Sequence, residues 1–337
     1  MTAVVLIETF DPAADQQRLR ACYEIVEACG RHDDPDLPGW SFGAFSAGWA
    51  HGWGTPHQAW LAHGDAGEPV GCYLLLLPDK ANLTTGSCLL FIAPGSRRSG
   101  HGRRLLAHCA GQARLAGRTR LRAEVTEDGP GASFAVSVGA SIGISEVIRV
   151  LAIEEGLSAR LATLRAKAEE AAGGYSLVSW QGATPEELIH QTAAIEVAMQ
   201  DAPRDPGVEP DTWDADRIRK VEQQALAFGR RTYSVAARHD DSRALVALTQ
   251  IGADPGVPGW GFQAITAVLA QHRGHRLGLL LKAANLELVL SQEPGLHSIV
   301  TGNAGPNQHM IAINELLGFR VKSVRRNCEL ELTGSGT

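Results

Sequence analysis

Two stretches far apart in this chain read as copies of one pattern, and that repeat limits the possible architectures more than any other feature. Residues 97–106 read RRSGHGRRLL, and residues 273–281 read RGHRLGLLL. Arg97 and Gly102 match Arg273 and Gly278 at a single offset. The same offset pairs Pro69-Val70-Gly71 with Leu245-Val246-Ala247, and Leu90-Phe91-Ile92 with Thr266-Ala267-Val268. A slightly larger offset pairs Val138-Gly139-Ala140 with Leu317-Gly318-Phe319. One order of strand, strand, Arg/Gly turn, helix, strand, helix therefore occurs twice in 337 residues, a length suited to two domains of ordinary size.

Local patterning fills in each copy. In the first, residues 4–10 and 58–62 are predicted strands, and 15–29 an amphipathic helix. A loop rich in Trp and Gly is expected from 31 to 55. Strands are predicted at 70–77, 88–93 and 121–125, helices at 102–116 and 131–138, and an extended stretch at 142–153. Residues 154–172, rich in Ala, Glu, Lys and Leu, predict a connecting helix that ends at Gly173-Gly174. In the second copy, Thr184-Pro185-Glu186-Glu187 has the chemistry of a helix start. Strands are predicted at 175–180, 231–237, 245–251, 261–269, 298–301 and 321–332. The helix after the second turn carries the apolar stripe Leu277, Leu280, Leu281, Ala284 and Leu288, and another helix is predicted at 308–317. The expected division is 1–153, a connecting helix at 154–173, and 174–337.

Composition excludes some partners. The formal net charge is -6, with no basic tract, which argues against nucleic acid. No apolar run has the length of a membrane span, and the first residues lack the basic start of a signal peptide. The cysteines Cys22, Cys29, Cys72, Cys88, Cys109 and Cys328 form no CxxC pair, and most lie among apolar neighbours. They read as buried thiols of a cytoplasmic protein. No metal is expected, because no His/Cys cluster has ligand spacing.

An Arg/Gly turn between an apolar strand and an amphipathic helix is a place to hold an anion, because the free N–H groups of the helix start point at it. Arg97, Arg98, Ser99, Gly100, His101, Gly102 and Arg103 make up the first turn. Arg273, Gly274, His275, Arg276, Leu277 and Gly278 make up the second, with His272 beside it. Arg97-x-x-Gly100-x-Gly102 resembles the R/Q-x-x-G-x-G/A signature of the GNAT superfamily of N-acetyltransferases. The second turn resembles it too, with Arg276 at the middle glycine position. ASFAVSVGA and MIAINELLGF are similar to that superfamily's late helix and the residues after it. The resemblance covers both halves and is of the two-domain type found in mycothiol synthase and related actinobacterial acyltransferases.

The resemblance implies an α/β (α+β) chain of two GNAT domains, each a mixed, mostly antiparallel sheet with splayed central strands between helices. It implies acetyl-CoA, or another acyl-CoA, as donor and the amine of a small molecule as acceptor, which attacks the thioester directly. Pyrophosphate would lie on the turns. The strand residues Phe91, Ile92, Ala267 and Val268 would flank the thioester, where a backbone N–H polarises its carbonyl. The superfamily's late-helix Tyr acid is replaced by Asn314 in the second copy and Ala135 in the first.

The copies differ. The second has Thr301, Asn303, Asn307, His309 and Asn314, whose amides suit those of pantetheine; the first has Glu124, Asp128, Gly131 and Ala135 there. Asn is also common in caps and turns. The second domain is favoured as catalytic, with the first a cofactor-binding or degenerate partner; the reverse assignment stays open. Asn314, His309 and Glu222 are the candidate catalytic residues. Trp40, Phe42, Phe45, Trp49, Trp53 and Trp60 form an aromatic set near the first acceptor region. The acids Asp201, Asp205, Glu209, Asp211, Asp214 and Asp216 lie near the second, where they would attract a cationic amine. A non-catalytic acyl-CoA sensor or scaffold is the competing reading. Either fits a monomer or a homodimer.

Overall fold

Asp15 begins the first long helix because its carboxylate accepts the backbone N–H of Arg18 at 2.9 Å, which satisfies a donor the helix cannot. That helix belongs to a computed structural model that describes residues 6–199, 204–209 and 212–332. The chain divides into two units. One takes Met1–Glu146, Asp205–Glu209 and Ser323–Thr337; the other takes Val147–Arg204 and Pro210–Lys322.

In the first unit, β1 (Leu6–Phe10), α1 (Gln16–Asp33), α2 (Phe42–His51), β2 (His57–His63), β3 (Pro69–Leu76), β4 (Thr85–Ile92), α3 (His101–Leu115), β5 (Arg120–Thr126) and α4 (Pro130–Ser137) follow in order. Strands β1 to β4 pair antiparallel, and β4 pairs β5 in parallel. Alternation sends Leu61, Cys72 and Leu74 to a core with α1 and α2, and Ala62, Tyr73 and Leu75 to a core with α3.

The expected loop over 31–55 instead contains α2. The Ser41 hydroxyl caps it by accepting from Ala44 N, and it ends at left-handed Gly52. Its two glycines and two Phe disguise it, because intrinsic propensity there is poor. Burial of Phe45, Gly48 and Trp49, at helical spacing, holds it in place.

In the second unit, strand β6 (Ser141–Ala152) enters at Val147. It is followed by α5 (Leu157–Glu169), β7 (Tyr175–Gln181), α6 (Ile189–Ala198), α7 (Ala215–Ala227), β8 (Arg231–His239), β9 (Leu245–Ala253), β10 (Trp260–Val268), α8 (Leu277–Gln292), β11 (Ser298–Ala304) and α9 (Gln308–Leu317). The strand order is β6-β11-β10-β9-β8-β7. Helix α5 does more than connect: Leu157, Leu161 and Ala168 are buried in the same core as α8, and Arg165 pairs Glu287 at 2.7 Å. Thr184 does not cap a helix as its sequence suggests. Its N–H is held by Glu222, a 3-10 turn follows at Glu186–Leu188, and α6 starts only at Ile189.

Strand β12 (Arg320–Glu331) departs from the sequential division at 153 and 174. From Ser323 it belongs to the first unit, antiparallel to β5 from Arg325↔Thr126 to Glu331↔Arg120. Cross-strand ion pairs set that register: Arg122 with Glu329 at 2.6 Å and Arg325 with Glu124 at 3.1 Å. Leu330 and Leu332 join the core of Leu121. Each copy's closing strand, β6 or β12, thus gives residues to the other copy's unit. The segment Asp205–Glu209 is likewise part of the first unit. Asp205 accepts from Ile144 N at 2.6 Å and Asn327 Nδ2 at 2.7 Å, and Glu209 accepts from Asn82 N at 2.6 Å.

Candidate active site

The two Arg/Gly turns have the same backbone course. After a 3-10 turn at Pro94–Ser96 or Ala270–His272, Arg97 and Arg273 are extended, with φ/ψ of -71°/161° and -73°/161°. Two left-handed positions then precede each helix. They are Arg98 (φ 66°) and Gly100 (φ 85°) in the first turn, and Gly274 (φ 89°) and Arg276 (φ 54°) in the second. Each turn keeps one glycine of the pair, at opposite positions. Arg276 therefore does not alter the turn; it holds the conformation a glycine adopts freely, at a cost of roughly 1–2 kcal/mol. Arg276→Gly is expected to raise unfolding free energy by up to about 1 kcal/mol, and Gly274→Ala to lower it by about as much, as read by urea denaturation.

The glycines at the helix starts have a second role. A Cβ at Gly102 would sit 3.4 Å from the Phe134 ring, and one at Gly278 would sit 3.1 Å from Ile313 Cδ1. Their absence lets α4 and α9 close on α3 and α8. The first backbone N–H groups of α3 and α8 lack intrahelical partners and can receive an anion.

The side chains of the turns are used unequally. The Arg97 guanidinium grips both Asp33 oxygens at 2.7 Å, and its Nε reaches Ile92 O at 3.2 Å. Burial acts to raise the Asp33 carboxyl, but the bonds to Arg97 and His32 outweigh it and the net shift is down. The Arg97 side chain thus fastens α1 to the turn, while its backbone remains part of that turn. Arg103 reaches Ser137 O and Oγ at 3.2 Å. Arg273 Nε bonds Val268 O at 3.2 Å, and His272 Nδ1 lies 3.0 Å from Tyr175 Oη. Arg98, Ser99, Gly274, His275 and Arg276 are exposed, and His101 is half-buried.

Both central strand pairs splay. Strands β4 and β5 pair in parallel only from Thr85↔Arg120 to Ser87↔Arg122 among the described residues, and β10 and β11 only from Trp260↔Ser298 to Phe262↔Val300. Phe91, Ile92, Ala267 and Val268 all lie on the stretches beyond. In the second unit Asn314 is fully buried on α9, and its Nδ2 donates to Asn303 Oδ1 of β11 at 2.5 Å. The Asn314 Oδ1 is buried without a protein partner, a polar atom suited to a ligand amide. Asn307 is the N-cap of α9, accepting from Met310 N at 3.2 Å, and His309 is exposed in its first turn.

Other candidates have structural work. Glu222 holds Thr184 N and Arg219, each at 2.7 Å, which makes it a loop clamp and not a free base. Asp205 and Glu209 are taken up in the first unit as described, and Asp214 caps α7. They are therefore not an open acidic funnel; Asp201 and Asp211 lie outside the described residues. Phe45 and Trp49 are core, whereas Trp40 and Trp53 are 45% and 41% exposed.

One asymmetry lies in the strands before the turns. The register of β3 and β4 runs unbroken from Gly71↔Ile92 to Leu76↔Ser87. That of β9 and β10 slips between Gln263↔Ile251 and Thr266↔Thr249, a bulge at the point of splay. Lys282 of α8 lies beneath it, 1% exposed, its Nζ 2.9 Å from Gln263 Oε1 and 5.2 Å from the centre of the Phe319 ring. Burial drives its pKa down to about 7. A lysine inside the run LLLKAANLEL, whose leucines are core, was the available signal.

Among the described residues, no group of three or more His, Cys, Asp or Glu is placed to hold a metal ion, and no helix is long and apolar enough to cross a membrane. Residues 19–134 match the family model for the acetyltransferase (GNAT) family. No curated protein matches the chain. Among solved structures, a tandem GNAT protein from the clavulanic acid biosynthesis pathway is similar at 28% identity and a TM-score of 0.79, covering 99% of this chain and 100% of its own. An N-acetyltransferase of Sphaerobacter thermophilus shares the fold at 14% identity and a TM-score of 0.66, covering 97% of this chain and 96% of its own. The glucosamine N-acetyltransferase region of a fungal multi-domain enzyme does so at 13% and 0.65, covering 98% of this chain and 38% of that one. With two splayed strand pairs, two Arg/Gly turns and a family match across the first, the chain carries a GNAT acetyltransferase domain and has the architecture of a tandem GNAT protein.

Proposed function

We propose that the chain moves an acyl group, in the first instance acetyl, from acyl-CoA to the amine of a small molecule, and that the second unit does the chemistry. The observation that carries the choice of unit is the bulge of β10 at the splay, which β4 lacks. A bulge frees backbone polar groups from the ladder and re-aims them, as a contact to a thioester carbonyl requires. The backbone amides of Gly274 to Gly278 would hold the pyrophosphate. Asn303 and Asn314 would meet pantetheine, with the unpartnered Asn314 Oδ1 accepting an amide N–H.

The amine nitrogen attacks the acyl carbon, the C–S bond breaks, and the amine proton passes to water as the thiolate leaves. Asn314 cannot supply a proton, so solvent fills the place of the missing Tyr. The likeness to a protein of clavulanic acid biosynthesis supports a small-molecule acceptor. The six free, buried cysteines support a reducing, cytoplasmic setting.

The second reading, acyl-CoA binding without turnover, is favoured by the absence of Tyr at both Asn314 and Ala135. Incubation with acetyl-CoA and a panel of small amines distinguishes them. Free thiol released in step with an acylated amine is the expected result. Tight acetyl-CoA binding with no thiol release across the panel selects the second reading.

A further inference from the structure

At the bulge of β10 one side chain serves two backbone carbonyls. Gln263 Nε2 donates to Gln250 O at 2.7 Å and to Ile265 O at 3.1 Å, and lies 3.1 Å from Thr249 Oγ1. The hydroxyls of Thr249 and Thr266 also approach Ile265 O, at 3.2 and 2.9 Å, and each other at 2.8 Å. An amide can face this set with its NH2 only if its oxygen points the other way. Lys282 Nζ is there, 2.9 Å from Gln263 Oε1. An amine nitrogen carrying hydrogens presents donors to that oxygen, so it selects one of the two amide orientations.

The first copy is an internal control. At the offset relating the two turns, Lys282 corresponds to Leu106, and Ser87-Cys88 occupies the facing stretch of strand. There the register is straight. The half with the lysine and glutamine has the bulge, and the half without them does not. Burying an amine with no carboxylate bonded to it is costly, and a position among core leucines does not require one.

We propose that Lys282 and Gln263 form a buried latch that holds the β10 bulge open, and that they are positioning residues for acyl transfer in the second unit. The latch acts through backbone: Lys282 orients the Gln263 amide, the amide holds Gln250 O and Ile265 O, and the bulged segment keeps a fixed aim into the splay. This rests on the reading of the second unit as catalytic. The structural part of it stands independently.

The test compares the wild-type full chain with Lys282→Met, Gln263→Leu and Lys282→Gln. The first two keep bulk and remove the latch, and the third can still donate an amide N–H to Gln263 Oε1. Hydrogen exchange of the amides of residues 264–266 is read beside kcat and KM for acetyl-CoA. Lys282→Met and Gln263→Leu are expected to lower kcat by about 100-fold, the scale of an ångström of misplacement, with KM within about threefold. Exchange at 264–266 speeds up while that of the α8 core stays slow, and Lys282→Gln recovers part of both effects. Unchanged exchange at 264–266 in a folded Lys282→Met protein overturns the latch, as does loosening without a fall in kcat. A wild-type protein that transfers no acyl group, with a bulge that loosens in the variants, overturns the catalytic reading and leaves the latch standing.

Discussion

Gly278→Glu is expected to lower acetyl-CoA-dependent thiol release at least about 100-fold, while Gly102→Glu keeps activity within a few-fold of wild type. Both place a carboxylate at the start of a helix after an Arg/Gly turn. Each would also press on the late helix, Gly278 against Ile313 and Gly102 against Phe134. The contact is tighter at Gly278, 3.1 Å against 3.4 Å, and Gly278 is the more buried, so a thermal melt of each variant is read beside activity to separate misfolding from loss of the diphosphate site. A carboxylate in that position competes for the N–H groups an anion would occupy and repels the anion itself. Calorimetric titration with CoA separates lost binding from lost chemistry. Loss of activity in Gly102→Glu with retention in Gly278→Glu reverses the assignment and places catalysis in the first unit.

The second large effect concerns stability. Lys282→Met is expected to yield a protein more stable than wild type at pH 7, with the advantage gone or reversed by pH 10. Burial lowers the lysine pKa to about 7 in the folded state, against about 10.4 in the unfolded chain. Between those values the unfolded chain binds more protons, so the lysine's contribution to stability rises with pH across that window. The wild-type minus variant difference should move by about 3 kcal/mol from pH 7 to pH 10. Buried Tyr73 and Cys109, whose pKa values burial and neighbouring thiols raise, lose stability at high pH in both proteins and cancel in the difference. Urea denaturation at each pH gives the measurement. A flat difference means that the lysine is not held in a dry site. Together with reduced turnover, the expected result would make Lys282 a residue that lowers stability and supports activity.

The repeat and the turns were legible because each rests on local chemistry, whereas the splay of the central strands was expected only from the family resemblance. Arg-x-x-Gly before an apolar stripe has the same meaning wherever it stands. The sequence marked Asn303 and Asn314 as candidate amides, and the structure shows that they also bond to each other across β11 and α9. The bulge was not legible. It depends on Lys282, Gln263 and Thr249, brought together from three segments, and no one segment reports it. Helix α2 was hidden because packing of Phe45 and Trp49 outweighs the weak propensity around them. The acids at 205 and 209 looked free because sequence cannot say that Asn82 and Asn327 face them. The destination of β12 was invisible for a related reason. Alternation in VRRNCELEL, residues 324–332, is satisfied by any parallel or antiparallel edge, and cross-strand ion pairs, among them Arg122 with Glu329, Arg325 with Glu124 and Arg326 with Glu127, choose β5.

That choice bears on how the protein is made. Synthesis proceeds from the N-terminus, at about 5–20 residues per second, and the strand that flanks β5 begins only at Arg320, long after β5 ends at Thr126. Until then β5 offers an open edge beside an incomplete core, for the roughly ten seconds or more needed to add the intervening residues. The N-terminal half cannot finish folding before the C-terminal half has been translated. Premature termination anywhere in the second half would therefore strand a first half with an exposed edge, a natural substrate for chaperones and proteases.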